Sequence, residues 1–359
     1  MYPEQLMHYG GESFLSTTAQ AEKLAHEYQT PKEDVIHIAL NLSGVHHQNV
    51  INDRGRFDLI MPGSNKPHRV ALTITNSPDT RFAHDGSHVL LGDEVIGKAT
   101  EIEKDTCTDT YWRSATHLTL NSNSRSVCKG CNFCGTYSLE RADEPLNDES
   151  RLAQRANQLS QEVGGFSHIE AIGVVTGCFP GEQPIVEHIK SIRKVFSQFG
   201  FKGEIQYIGS QLKSEQAIGQ LIDDGPFALY LTTEIFSRRE ALMKKQKSSL
   251  SLEEGRMVLQ RTKMLGGQSS FLYIAGLDTL ETIYEELPKF AGIVTRFPQL
   301  QTYQLYTPDQ QQYRAPGANK LDYYLKLRQF AEQQFSDLKP ILFHNYRGLW
   351  YSQYRGQAL

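Results

Sequence analysis

His117-Leu-Thr-Leu-Asn-Ser-Asn-Ser-Arg-Ser-Val-Cys-Lys-Gly-Cys-Asn-Phe-Cys134 begins as a short apolar strand and ends in three closely spaced cysteines. Outward from this stretch, strand and helix signals alternate to the end of the chain. Further strands are expected at His168-Ile-Glu-Ala-Ile-Gly-Val-Val-Thr176, Glu204-Ile-Gln-Tyr-Ile-Gly209 and Phe227-Ala-Leu-Tyr-Leu-Thr-Thr233, then at Ser270-Phe-Leu-Tyr-Ile-Ala-Gly276 and Thr302-Tyr-Gln-Leu-Tyr306. The segments between them carry apolar residues at three- and four-residue steps, as in Pro184–Phe196, Leu280–Phe297 and Leu321–Phe335. Ser251 and Glu254 have capping-box spacing, for a helix ending near Gly266-Gly267. Successive β–α units imply a parallel sheet with right-handed crossovers, which presents the C-terminal ends of its strands to ligands. The cysteines follow the first of these strands directly, so they fall on that face.

Residues 1–115 read differently. Val35-Ile-His-Ile-Ala-Leu-Asn-Leu42, Arg69-Val-Ala-Leu-Thr-Ile-Thr75 and His88-Val-Leu-Leu-Gly-Asp-Glu-Val-Ile-Gly97 look like strands between Gly, Asn, Asp and Pro punctuation. The expected organisation is a mostly β extension over 1–115, a β/α region over 116–310, and a helix with an aromatic tail over 311–359 packing on it. The 359-residue chain is ordinary in composition, with 39% hydrophobic and 22% charged residues. Its net charge of −4 argues against a dedicated nucleic-acid or anionic-membrane surface. It has no apolar run long enough to span a bilayer and no signal-like N-terminus. Five cysteines, three of them clustered, do not make a disulfide framework, and a reduced, cytoplasmic setting is expected.

Three thiolates this close can share one soft metal centre: zinc, copper(I) or an iron–sulfur cluster. Structural zinc usually takes four protein ligands, and a second cysteine pair is missing here. A ferredoxin run would need a fourth cysteine where Ser138 stands. A three-cysteine iron–sulfur site leaves one iron open to a substrate.

At Cys128, Cys131 and Cys134 the chain resembles the radical S-adenosylmethionine (radical SAM) superfamily, with Phe133 at the aromatic position before the third cysteine. The resemblance covers roughly residues 116–310. It departs from the usual C-x3-C-x2-C spacing, because only Lys129 and Gly130 separate the first two cysteines. It implies a partial (β/α)6 TIM-type barrel. The three cysteines would hold a 4Fe–4S cluster, with S-adenosylmethionine (SAM) on the open iron. It further implies reductive cleavage of SAM, hydrogen abstraction from a small-molecule substrate, and a flavodoxin- or ferredoxin-type reductant.

By the same resemblance, Thr176 and Gly177 in Val175-Thr-Gly-Cys-Phe-Pro-Gly-Glu-Gln-Pro184 would receive the SAM amino group. Glu234 would contact the ribose, and Arg239 or its neighbour Arg238 would clamp the carboxylate. Ile274, Gly276 and Tyr306 would contact adenine. Cys178 would lie where a thiol can donate a hydrogen atom; equally, a free cysteine is often buried and inert. Cys107 reads as structural; His46-His47 could line a substrate pocket, but isolated histidines are more often surface or core residues than ligands. Two alternatives stay open: an aminocarboxypropyl transferase that cleaves SAM at another C–S bond, and a non-catalytic iron–sulfur carrier or sensor.

Overall fold

The computed structural model describes residues 15–48, 53–62, 67–75, 80–106, 110–122, 130–135, 146, 148–177, 179–340 and 347–359. Cys107, Cys128 and Cys178 lie outside the described residues. The chain divides into two compact units. One comprises Met1–Asp105, Ile274–Pro288 and Gln299–Leu359, and the other Thr106–Tyr273 and Lys289–Pro298. The 311–359 tail therefore shares a unit with the N-terminal region.

In the first unit, helices α1 (Thr18–Glu27) and α2 (Lys32–Ser43) precede seven strands. These are β1 (Val45–His46), β2 (Asp53–Ile60), β3 (His68–Thr75), β4 (Phe82–His84), β5 (His88–Leu91), β6 (Glu94–Ala99) and β7 (Glu103–Lys104). Their order is β3-β1-β4-β5-β6-β2-β7, and β2 also pairs with β3, which closes six of them into a small barrel. The β-rich character expected for this region is present, but two of the expected strands are corrected.

The run Val35–Leu42 is not a strand; it is the heart of α2. Ten of the twelve α2 residues are buried, polar Asp34, His37, Asn41 and Ser43 among them, so the helix has no broad exposed face to separate it from a buried strand. Gly44, at φ +73°, ends it. The run His88–Gly97 is not one strand but the β5–β6 hairpin, which turns at Gly92 with φ +60°.

Later in the chain, α9 (Leu280–Glu286) gives way to a 3-10 turn at Leu287–Phe290, far short of the expected end at Phe297. Pro288 lacks the N–H that would continue the helix. β14 (Gln299–Thr302) lies slightly before the strand expected at 302–306, and α10 (Leu321–Gln334) is where the sequence placed it. Asp34 on α2 and Arg328 on α10 form an ion pair, with side chains 0% and 3% exposed. Asp34 also accepts from the Ser352 N–H and hydroxyl, each at 2.8 Å. Arg328 donates to the carbonyls of Leu349 at 2.9 Å and Gln353 at 3.0 Å, so one buried pair ties two helices to the tail.

The second unit holds the parallel sheet. β8 (Tyr111–Ser114) pairs antiparallel with β9 (His117–Asn121). β9, β10 (Ala171–Val175), β11 (Glu204–Gly209), β12 (Phe227–Glu234) and β13 (Gln268–Ala275) then run parallel in sequence order. The crossovers contain α3 (Glu149–Val163), α4 (Glu182–Ser197) and α5 (Glu215–Asp223). Between β12 and β13 come three helices, the short α6 (Arg239–Leu242) and α7 (Lys245–Ser248) and then α8 (Leu252–Met264). Asp148 and Ser214 cap α3 and α5, and both halves of the Ser251/Glu254 capping box are formed on α8.

The two faces of this sheet differ in chemistry. Leu118, Leu120, Ile172, Val174, Ile205, Tyr207, Phe227 and Leu229 face the helices and pack on Leu159, Ile189, Phe196 and Ile218. Each such side chain stabilises the fold by roughly 1.5–3 kcal/mol. On the opposite face the register aligns Thr119, Gly173, Gln206 and Ala228, small or polar residues that would not hold a helix. Near the N-terminal ends of the strands, Arg296 grips Glu204 through two nitrogens at 2.7 and 2.8 Å and donates to the Tyr230 hydroxyl at 3.3 Å.

Arg328→Met should lower the unfolding free energy by about 3–5 kcal/mol in a denaturant titration, because Asp34 is left buried without its counter-charge. An effect near zero would mean that the pair does not carry the tail.

Candidate active site

The cysteine loop is pinned where it leaves β9. The Ser122 carbonyl accepts the Leu146 N–H at 2.8 Å, so the segment between them starts and ends at one point. The Ser122 hydroxyl lies 2.6 Å from His188 Nε2 on α4. Burial drives the His188 imidazole down to about 4, so it is neutral at pH 7. By register, Asn121 lies beside Val175, so Thr176 leaves the sheet at the same C-terminal edge as the loop.

From Gly130 to Gly135 the loop is described. The Cys134 N–H donates to the Cys131 carbonyl at 3.1 Å, closing the turn Cys131-Asn-Phe-Cys134. Both thiols are free of disulfides; Cys131 is buried and Cys134 half-buried. Phe133, between them, is also buried.

Cys131 Sγ accepts the backbone N–H of Lys244 at 3.5 Å. Asn132 donates its N–H to the Leu242 carbonyl at 2.8 Å and its side-chain amide to the Ala241 carbonyl at 2.9 Å. Gly130, at φ +101°, lies so close that an added Cβ would sit 3.0 Å from Lys244 Cβ. A side chain there would push the loop off its seat.

The seat is the connection from β12 to α8, and its shape is costly. Glu234 and Arg238 are non-glycine residues at φ +67° and +52°, each costing about 1–2 kcal/mol. Arg239 offsets this. Its guanidinium donates to the carbonyls of Thr233 at 2.7 Å, Ile235 at 2.6 Å, Leu250 at 2.9 Å and Lys247 at 3.4 Å. Hydrogen bonds from a charged donor contribute about 1.5–3 kcal/mol each, so the brace outweighs the strain. Lys247 forms a salt bridge with Glu234, their side chains only 16% and 14% exposed.

These charges reach the sulfur. Burial pushes the Cys131 thiol up, and the Lys247 ammonium and the Lys244 N–H act against it. Glu234 and Cys134 push it up further. Lys247 and Lys244 carried no sequence signal beyond a basic run. Only the fold of the β12–α8 connection brings them to the cysteines.

The other expected contacts are distributed as follows. Thr176 is half-buried and donates its hydroxyl to the Gly177 carbonyl at 2.9 Å. The next turn is tied to the β11–α5 loop: Gln211 bonds the Phe179 N–H and carbonyl at 3.0 and 2.7 Å, and Glu182 accepts from the Ser214 N–H at 2.8 Å. Arg238 is exposed, whereas the carboxylate role expected first for Arg239 conflicts with its engagement by backbone carbonyls.

Ile274, Gly276 and Tyr306 belong to the first unit. There Gly276, at φ +115°, donates its N–H to the Tyr323 hydroxyl at 3.2 Å, and an added Cβ would meet the Tyr324 hydroxyl at 2.8 Å. The Tyr306 ring lies 4.4 Å from the Arg54 guanidinium, and Arg347 lies 3.4 Å from its hydroxyl. The His47 ring is 5.7 Å from that of His84 in the same unit.

The chain matches no family model and no curated protein sequence. Among solved structures it is similar to HydG, a maturase of the FeFe-hydrogenase, at 13% identity and TM-score 0.45 over 61% of this chain and 51% of that one. It is also similar to coproporphyrinogen III oxidase (HemN) from Escherichia coli, described as a radical SAM enzyme, at 15% identity and TM-score 0.43 over 60% and 51%. A third is TsrM from Kitasatospora setae, a radical SAM methyltransferase, at 11% identity and TM-score 0.38 over 55% and 38%. The chain thus spans about half the length of the first two. Among the described residues no helix is long and apolar enough to cross a membrane.

Neutral, buried His188 makes the loop anchor acid-sensitive. Its folded value of about 4 lies below the unfolded 6.5, so its contribution is complete above pH 6.5 and is lost as pH falls towards 4. The loss amounts to about 3 kcal/mol. His188→Gln should flatten that part of a stability–pH curve; an unchanged slope between pH 6.5 and 4 would contradict the assignment.

Proposed function

We propose that this chain is a radical SAM enzyme acting on a small molecule. The observation that supports it best is the Cys131–Cys134 turn. It presents two thiols outside any disulfide at the C-terminal edge of a parallel β/α sheet, one of them accepting a buried backbone N–H. Thiolates select soft metals, and N–H groups aimed at sulfur are a recurrent means of tuning iron–sulfur centres. The thiols of Cys131 and Cys134 suit a 4Fe–4S cluster, and Cys128, outside the described residues, would be its third ligand. A bound cluster would supply the electron for reductive cleavage of SAM, and with it the means to remove hydrogen from the substrate.

The chain's own residues hold and orient. Thr176 and Gly177, at the end of β10, offer backbone groups for the amino group of SAM. Glu234, at the end of β12, would contact the ribose hydroxyls, giving up part of its pairing with Lys247 to reach them. Arg238 takes the carboxylate role in preference to Arg239, because a guanidinium held by backbone carbonyls has little left to offer a ligand. Ile274 keeps its proposed place against adenine. Gly276 and Tyr306 are proposed there too, although both are already engaged within their own unit. Cys178 is the proposed hydrogen-atom donor. The reductant would be a flavodoxin- or ferredoxin-type protein, and the setting cytoplasmic.

Anaerobic reconstitution with iron and sulfide, followed by reduction and addition of SAM, tests this reading. The expected products are 5′-deoxyadenosine and methionine, and Cys131→Ser should lower their formation by at least about 100-fold, as loss of a metal ligand does. Methylthioadenosine as the nucleoside product would replace the reading with aminocarboxypropyl transfer. Zinc without sulfide, or a reducible cluster that never cleaves SAM, would overturn it.

A further inference from the structure

Lys247 and Glu234 form a mostly buried charge pair beside the cysteine turn, and SAM binding does not account for the lysine. The Lys244 N–H points at Cys131 Sγ, and Lys247 lies one turn further on, its own N–H bonded to the Lys244 carbonyl at 2.9 Å. Arg239 fixes this turn through the carbonyls of Lys247 and Leu250. Lys247 thus lies one helical turn from the N–H that meets the sulfur, and at 16% exposure its ammonium is poorly screened by solvent. Glu234, 14% exposed, partly cancels its field.

We infer that the Lys247–Glu234 pair sets the reduction potential of the cluster seated on the Cys131–Cys134 turn. This rests on the cluster reading above. Reduction adds one electron, and so one negative charge, to a centre whose net charge is already negative. A fixed cation nearby stabilises the reduced form and a fixed anion the oxidised form. The electron comes from a low-potential donor, dithionite in the test below.

The pair therefore makes two predictions of opposite sign from one geometry. Lys247→Met should lower the equilibrium constant for one-electron reduction by at least about tenfold, a shift of about 59 mV to more negative potential. Glu234→Gln should shift it the other way. Lys247→Arg, which keeps the charge, should stay close to the parent protein. A merely structural role for the pair would move both neutralising variants together, through loss of cluster.

The experiment is an EPR-monitored redox titration of the full chain, anaerobically reconstituted, without SAM, with iron and sulfide quantified for each variant. Opposite shifts at full cluster content, with Lys247→Arg unshifted, support the assignment. Shifts in the same direction, or none, at full cluster content overturn it while leaving the enzyme reading intact. If Lys247→Met loses its cluster, Glu234→Gln alone decides: no positive shift there overturns the assignment. A parent protein that binds no cluster at all overturns both.

Discussion

Arg239 holds together a piece of backbone that would not keep its shape alone. The connection from β12 to α8 bends through two non-glycine residues at positive φ, then makes two short turns before α8 begins. Its guanidinium reaches carbonyls on both sides of that bend, at Thr233 and Ile235 and at Lys247 and Leu250. Between those anchors lie the Ala241 and Leu242 carbonyls that take Asn132, and the Lys244 N–H aimed at Cys131. A seat for a metal-binding loop must be rigid before the metal arrives, and a planar charged fork on backbone carbonyls supplies rigidity without a large apolar core.

That seat also explains the balance of charge around the thiols. Burial alone would hold Cys131 protonated, which is unfavourable for a ligand that must bind as thiolate. The Lys244 N–H and the Lys247 ammonium work against burial, and a bound soft cation would complete the reversal. On the other side of the loop, His188 stays neutral and holds Ser122. The loop is thus fixed at its exit from β9 by a neutral polar contact and at its cysteines by hydrogen bonds to the backbone of the β12–α8 connection.

The β/α half of the fold was legible because its pattern is redundant. The strands at β9 to β13 are short apolar runs between turn residues, and the Ser251/Glu254 capping box formed as its spacing indicated. The N-terminal region was harder for a physical reason. Helix α2 is buried on all sides, so its apolar run reads equally as a strand, and the β5–β6 turn hides in Gly92-Asp93 within an apolar stretch. At the site, residue types announced the cysteines but not their neighbours. Nothing in the order Arg-Arg-Glu at 238–240 says which guanidinium turns inward; that depends on Arg238 adopting φ +52° and Arg239 beginning α6. Lys244 acts through its backbone, which carries no signature in sequence at all.

The proposed chemistry requires a cluster with three cysteine ligands and one iron open to SAM. Electron–nuclear double resonance on the reduced, reconstituted protein tests this directly, using SAM labelled with nitrogen-15 in the amino group and oxygen-17 in the carboxylate. Hyperfine couplings to both labels, appearing only when SAM is added and absent in Cys131→Ser, are the predicted result. A cluster spectrum that is indifferent to SAM would mean that its fourth ligand comes from the protein, and would contradict the account.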